Sequence, residues 1–561
     1  MKKLIAFFEI PATDFRRAVD FYETVLGACY DDLGNYNYKE INELTVVLPE
    51  VVEVVVANKD SVKVVLRPEV KQSAREDNGN LTYLWRQKEV SGSSVWKVCG
   101  REKDYTVRIN SRTTENMSFR FAVTDTVLGI TTYKEVTLKI ENPLENAWFV
   151  LQNQVGKSVL GAVDGSGIGA TVYKDIYQHL LGVGKEIPGE PRALEVNPAL
   201  SPGKLETKTV IYVLTNEGGR MMDSRTLETI YDYKEMLLGL EGSAKPEFVK
   251  ADQGELIIDN GKMWYATWSE YSIFYPIKLA TDLGTDYYLT NALLTVDHQV
   301  IAYDRMQNRF LWYDRWENPP TLYGETVRNG ELQYYNVNGS SNRARLKRIA
   351  EVPEYPNVFN PDETGLQDVL FMGVHSFGGL GASMKGMAVG RKQGSAQWHI
   401  YEFNNDGLSN GDRARCSGYY TFMPSAGDED SWQFASSCYF NNIFFYASGN
   451  KVYRVDLNSF VPLETKIYEY PDPSSRITKM KFRHERIAEM SLDWGSMSLT
   501  MEDQPYWLGL AIEHADKTAS LVEMRLKPSG EVLKEDGNQK VYEYKGFEGI
   551  VDIGYSFHPT N

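Results

Sequence analysis

From residue 145 to the C-terminus the chain repeats one pattern: a short strand, a tight Gly or Asn turn, a second strand and a turn containing aspartate. The units recur at roughly 40–60 residues, a period that belongs to repeat architectures. "AWFVLQNQVGKSVLGAVDG" opens the series, followed by "TVIYVLTNEGGRMMDSRTLETIYDY", "GELIIDNGKMWYATW", "TVDHQVIAYDRMQNRFLWYDR", "QDVLFMGVHSFGGLGASMKGMAVG" with "WHIYEFN", and "NNIFFYASGNKVYRVDLNSF". "YWLGLAIEHADKTASLVEMRLKPSGEV" and "YKGFEGIVDIGYSF" close it. In "ASGNKVYRVDLNS" Asn450 is expected at a hairpin tip, where a positive φ costs it little. Tyr453 and Val455 then face one side, Val452 and Arg454 the other. Small repeated sheets can stack as a solenoid or close into a ring. A ring leaves no long sheet edge open, which favours a β-propeller of about seven blades over residues 145–561.

Composition bounds what such a chain can do. The sequence has 60 Lys and Arg against 76 Asp and Glu, a net charge of −16. That balance disfavours nucleic acid, whose phosphates need clustered cations. The densest basic stretch, "RARLKR" (Arg343 to Arg348), reads as a solvated strand edge or loop. The four cysteines, Cys29, Cys99, Cys416 and Cys438, form no CxxC pair, so a zinc site is not expected. Spacing alone leaves a Cys416–Cys438 bridge open. No apolar run of about 18 residues exists to span a membrane.

Residues 43–142 alternate apolar and polar side chains in short segments. "VVEVVVANKDSVKVVLRPEV" turns at Asn58-Lys59-Asp60, and "LTYLW", "DYTVRIN" and "MSFRFAVTDTVLGITTYKEVTLKI" follow, the last broken near Gly129. Strands at this spacing predict an antiparallel sandwich with Trp85 in its core and Tyr105, Val107 and Ile109 on one face. "LTYLW" and "FAVTDTVLG" resemble PKD and other immunoglobulin-like modules. The FGDG-type turn usual in PKD domains is replaced by "RQKEVSG". The resemblance implies a spacer or binding module.

At the N-terminus two resemblances meet. "FFEIPATDFRRAVDFYETVLG" is similar to the first strand–helix unit of the vicinal-oxygen-chelate family, but the likeness stops at Gly27. No metal or glyoxalase chemistry carries over, and Glu9 alone is no site. The charges Glu9, Asp14, Arg16, Arg17, Asp20 and Glu23 interrupt what a signal peptide needs to keep apolar. From Cys29 onward, "CYDDLGNYNYKEINELTV" resembles the start of the mature chain in PKD-like lipoproteins of Bacteroidota, and Leu26-Gly27-Ala28-Cys29 fits their lipobox. Residues 1–28 therefore read as an atypical segment joined to a lipoprotein body, with residues 29–42 as a linker. In an exported chain the lipid falls on Cys29. With this N-terminus, export is expected to be poor and Cys29 unmodified.

Motifs that carry chemistry are weak. "HERIAEM" has Ala488 where a zinc-protease helix needs its second histidine. "SLDWGSMS" resembles the Asp-box of sialidase-type propellers, a structural hairpin, with Ser498 in place of the final aromatic. "GSGIGA" lacks the strand–helix context of a dinucleotide loop. The seven histidines (179, 298, 375, 399, 484, 514 and 558) are spread over different units. The densest aromatic segment, "MWYATWSEYSIFYP", offers Trp264, Trp268 and Tyr271 as stacking platforms for sugar rings or peptide side chains, with inter-blade packing as the alternative.

The reading is a non-enzymatic, all-β protein without cofactor, metal or catalytic residues. The lipoprotein resemblance implies lipid-anchored display on the outer membrane. Its implied partners are a TonB-dependent transporter with its lid lipoprotein, and a glycan or oligopeptide ligand captured before import. The alternatives are a propeller hydrolase or lyase acting on the same polymers, and a purely structural subunit of the transporter assembly.

Overall fold

A computed structural model describes residues 28–30, 36–38, 43–56, 61–73, 77–88, 95–110, 116–141, 144, 146–182, 184–197, 210–251, 254–267, 274–294, 299–314, 326–328, 331–333, 345–349, 351, 356–377, 384–405, 414–425, 431–485 and 504–557. The chain divides into two compact units, residues 1–142 and 143–561. The strand–helix expectation for residues 1–27, the turn at Asn58–Asp60 and the Asp-box segment lie outside the described residues.

The first unit is built around a five-stranded sheet. Its spatial order is Val51–Val55, Ile130–Glu141, Met117–Asp125, Leu81–Lys88 and Trp96–Gly100. Two antiparallel ladders accompany it, Leu44–Val47 with Glu69–Gln72 and Ser61–Leu66 with Tyr105–Asn110. Alternation does the folding. Phe119, Phe121, Val123, Val136 and Leu138 point into one core, while Arg120, Ala122, Tyr133 and Glu135 point away from it. Trp85 is fully buried in that core, stacked on Tyr105, and its indole N–H donates to the carbonyls of Glu102 (3.1 Å) and Lys103 (3.2 Å). Asp125 anchors the sharp turn before Gly129 by accepting from the amides of Val127 (2.8 Å) and Leu128 (3.2 Å).

The second unit contains seven sheets of four strands, one of them extended by the short parallel strand Lys278–Leu279. The innermost strands, in ring order, are Ile550–Phe557, Pro191–Asn197, Pro246–Ala251, Leu289–Leu294, Leu366–Phe377, Gln433–Ser436 and Arg476–Phe482. Each packs against the next, and Arg476–Phe482 returns to Ile550–Phe557. The unit is therefore a closed seven-bladed β-propeller, with blades numbered 1 to 7 in that order. Closure is achieved by the last strand of the chain, which pairs with Asn146–Gln154 to become the innermost strand of blade 1.

The second strand of each blade lies between neighbouring sheets, so it reads as a continuous apolar run rather than an alternating one. "VIYVLT" (Val210–Thr215) and "IFFYAS" (Ile443–Ser448) are buried at every position. The basic stretch forms the outer strand of blade 4, Arg345–Arg348. There Leu346 is buried and Arg348 pairs with Asp362 at 2.7 Å. Asn260-Gly261 makes the expected two-residue hairpin, both with positive φ. At the blade 6 tip the positive φ falls on Gly449 rather than Asn450. Asn450 is buried there, and its side-chain amide donates to the carbonyl of Tyr470 at 2.8 Å. No disulfide joins Cys416 to Cys438; both are buried thiols.

Gly219 has φ +125, and a Cβ there would lie 2.0 Å from the Val213 carbonyl oxygen. Gly219→Ala therefore combines a disfavoured backbone conformation with a backbone clash. It is expected to destabilise the propeller by more than about 2 kcal/mol, read as a drop in the urea midpoint.

Candidate functional site

The propeller hub is the first place to look for chemistry, because the innermost strands of all blades converge on it. Glu195 (blade 2), Lys250 (blade 3), Lys479 and Lys481 (blade 7) and Asp552 (blade 1) lie on these strands, and Glu485 follows the inner strand of blade 7. Lys481 contacts Glu195 at 3.2 Å and Asp552 at 3.1 Å, and its ammonium also donates to the Leu194 carbonyl at 2.6 Å. Lys479 reaches Asp552 at 3.5 Å, and Lys250 bridges Glu195 at 3.4 Å to Glu485. Blades 3 and 7 are not neighbours in the ring, so the Lys250–Glu485 pair spans the hub.

Three ammonium groups thus face three carboxylates. Burial would push the Glu195 and Asp552 carboxyls up, but the adjacent lysines more than offset it and hold both below the usual range. Burial likewise opposes the charge on Lys250 and Lys481, yet the paired carboxylates keep both lysines above the normal range. Every member is committed to a partner of opposite sign. The network is suited to riveting four blades together, since a group already ionised and paired is a poor proton donor or acceptor.

A second buried network sits where the ring closes. Glu523 in blade 7 accepts from the Trp148 indole N–H (2.8 Å), the Ser166 hydroxyl (2.7 Å) and the Tyr544 hydroxyl (2.5 Å), and it pairs with Arg483. The Arg483 guanidinium lies between the rings of Trp507 (4.7 Å) and Tyr555 (4.3 Å). Trp148, Ser166 and Tyr555 belong to blade 1, so this cluster latches the first blade to the last.

The aromatic platform anticipated at Trp264 is not one. Trp264 is only 6% exposed and packs with Tyr212, Leu214, Met236 and Phe274 between blades 2 and 3, as the inter-blade alternative required. Its spacing resembled a platform, but the strand Lys262–Thr267 is covered on both sides by neighbouring sheets. Trp268 and Tyr271 lie outside the described residues. Cys29 sits on the short strand Ala28–Tyr30, opposite Asn37. Among the described residues no group of three or more His, Cys, Asp or Glu is placed to hold a metal. His375, His399 and His484 are buried at separate points of blades 5 and 7.

An accessible aromatic row occurs instead on the outward face of the five-stranded sheet in the first unit. Trp96 on the edge strand and Tyr133 on the far side flank Arg120, whose guanidinium lies 4.3 Å from the Trp96 ring centre and 5.1 Å from that of Tyr133. Glu135 holds the same guanidinium at 2.9 and 2.5 Å. Tyr133 is 61% and the neighbouring Val98 53% exposed, so the face is open. Arg120 occupies the outward parity of a strand whose inward positions, Phe119, Phe121 and Val123, are large and apolar; the edge strand of Trp96 has Lys97 and Cys99 at those positions and carries no such signal. The two aromatics lie on two strands far apart in the chain, whereas the propeller segment concentrates its aromatics in fourteen residues.

Fold and site together define a chain of two units, a β-sandwich and, after it in sequence, a seven-bladed propeller with a self-neutralised hub. Residues 29–191 match the model of the PKD-like family, a span covering the sandwich and three of the four strands of the first blade. Solved structures similar to the chain include a quinoprotein alcohol dehydrogenase-like protein from Bacteroides thetaiotaomicron, at 13% identity and TM-score 0.39, covering 90% of this chain and 96% of that one. A Lactobacillus plantarum protein matches at 11% identity and TM-score 0.39, covering 73% and 99%. AztD from Citrobacter koseri matches at 9% identity and TM-score 0.29, covering 78% and 94%. At these scores the likenesses carry no argument about activity. No curated protein matches the sequence.

Proposed function

We propose that this protein is a non-catalytic binding lipoprotein of the bacterial cell surface, capturing a glycan or an oligopeptide for a TonB-dependent uptake system and its lid lipoprotein. The observation that carries the binding role is the open Trp96–Arg120–Tyr133 row, which presents aromatic area beside hydrogen-bonding groups on a rigid sheet. The paired hub supports the non-catalytic part, because its carboxylates and lysines are consumed in holding blades together. Membrane placement, lipid attachment at Cys29 and the transporter partners rest on the lipoprotein resemblance of the sequence. No helix among the described residues is long and apolar enough to cross a membrane.

Affinity capture of the tagged full chain from native outer membranes tests this reading. The expected result is co-purification of a TonB-dependent transporter together with a bound saccharide or peptide. Recovery without a transporter, or steady turnover of a glycan or peptide by the purified protein, would overturn it.

A further inference from the structure

We infer that the outward face of the sandwich sheet is a binding site for an acidic polysaccharide, a chain of pyranose rings carrying carboxylates. This inference deepens the binding role proposed above and rests on it.

The whole chain is strongly acidic, yet this face is not. At its outward register positions stand Arg86, Lys88, Arg120 and Lys139 against Glu53, Glu135 and Glu141, so cations outnumber carboxylates by one. Strand register sharpens the point. Arg86 lies directly opposite Arg120 on the neighbouring strand, and Arg120 lies opposite Glu135 on the other side. Like charges in facing cross-strand positions destabilise a sheet unless an anion sits between or over them. Glu135 is already engaged with Arg120, and Glu53 with Lys139 at 3.7 Å. Among the described residues neither Arg86 nor Lys88 has a carboxylate partner. The two uncompensated cations are the ones beside Trp96, which is directly opposite Lys88.

Shape and polarity then select the occupant. The row Trp96, Arg120, Tyr133 spans four adjacent strands, from the edge strand inward, so it suits an extended ligand laid across the strands. Aromatic rings accept the C–H faces of pyranoses. The Arg120–Glu135 pair between them offers donors and an acceptor to hydroxyls, and Arg86 with Lys88 supplies the countercharge that a carboxylate needs. A neutral glycan would leave those cations unpartnered. An acidic peptide would use the cations but has no repeating apolar face to match two separated rings.

Isothermal titration of the full chain with hexagalacturonate and with cellohexaose tests this. Binding of hexagalacturonate, with none of cellohexaose, is expected. The double variant W96A/Y133A should weaken it at least about tenfold. The double variant R86Q/K88Q should weaken it similarly and flatten its salt dependence. Because Trp96 is half-buried, R86Q/K88Q serves as the variant that leaves packing intact, checked by an unchanged thermal midpoint. Unchanged affinity in both variants, or no binding of hexagalacturonate by the wild type, overturns the inference. A wild type that binds cellohexaose or oligopeptides but not hexagalacturonate overturns this inference alone; one that binds none of the three overturns the proposed binding role as well.

Discussion

Replacing Glu523 by alanine is expected to cost the propeller about 3–5 kcal/mol, the largest single-residue effect in the molecule. Glu523 is fully buried and its two oxygens take three hydrogen bonds and one ion pair. Burial alone would raise its carboxyl, but Arg483 more than offsets this and holds it below the usual range. Removing it takes from the Arg483 guanidinium, whose side chain is 2% exposed, the buried carboxylate it pairs with. It also orphans the Trp148 indole N–H in the first blade. Since Trp148 and Ser166 belong to blade 1 and Glu523 to blade 7, the loss falls on ring closure. Urea unfolding of Glu523→Ala should show a midpoint far below wild type and early proteolysis near residues 550–557. The exposed pair Lys466–Glu469 provides the contrast: Glu469→Ala should leave the urea midpoint essentially where it is. A Glu523→Ala protein as stable as Glu469→Ala would show that the latch contributes nothing.

The second large expectation is acid lability. His375 is fully buried in blade 5, and burial holds its imidazole pKa down to about 4. Glu402 at 3.7 Å pulls the other way, and Lys385 adds to the depression. Burial and the neighbouring Arg483 hold His484 down to about 3. Both rings are neutral in the folded chain at pH 7, while an unfolded chain binds protons on them below about pH 6.5. Stability is therefore whole above pH 6.5 and falls as the pH drops toward 4 and 3. Each histidine contributes a loss on the order of a few kcal/mol, because one pH unit of differential protonation corresponds to about 1.4 kcal/mol. The carboxylates held low by their partners, Glu195, Asp552 and Glu523, add a further loss below their unfolded range near pH 4.5. Denaturation at pH 7 and pH 5 should differ by several kcal/mol in the wild type. The difference should shrink in H375Q/H484Q, even if that variant is less stable at neutral pH. An undiminished difference would remove the histidines as its cause.

Much of the architecture is legible in the chain because periodicity is local. The repeated strand–turn–strand units specify small sheets, and sheets too small to bury both faces must stack. The alternation around Phe119 and Phe121 specifies a two-sided sandwich in the same way. Turn chemistry is nearly as local, and where it misled, at Asn450, the neighbouring Gly449 took the unusual φ at lower cost.

The site was far less legible. Trp264 and Trp148 look alike in sequence, each an aromatic within an apolar strand, yet what each does depends on which blade lies beside it. The same holds for charge. Lys481 and Glu195 are separated by 286 residues and meet only because the ring closes. Trp96, Arg120 and Tyr133 become a row only through the register of four strands. The sequence by itself determined that this chain builds small twisted sheets in two kinds of unit, since backbone pairing and hydrophobic alternation act between near neighbours. Only the tertiary structure decided which charges cancel, which aromatics are covered and which remain open to a ligand. Those outcomes depend on contacts between residues far apart in the chain, and no local pattern encodes them.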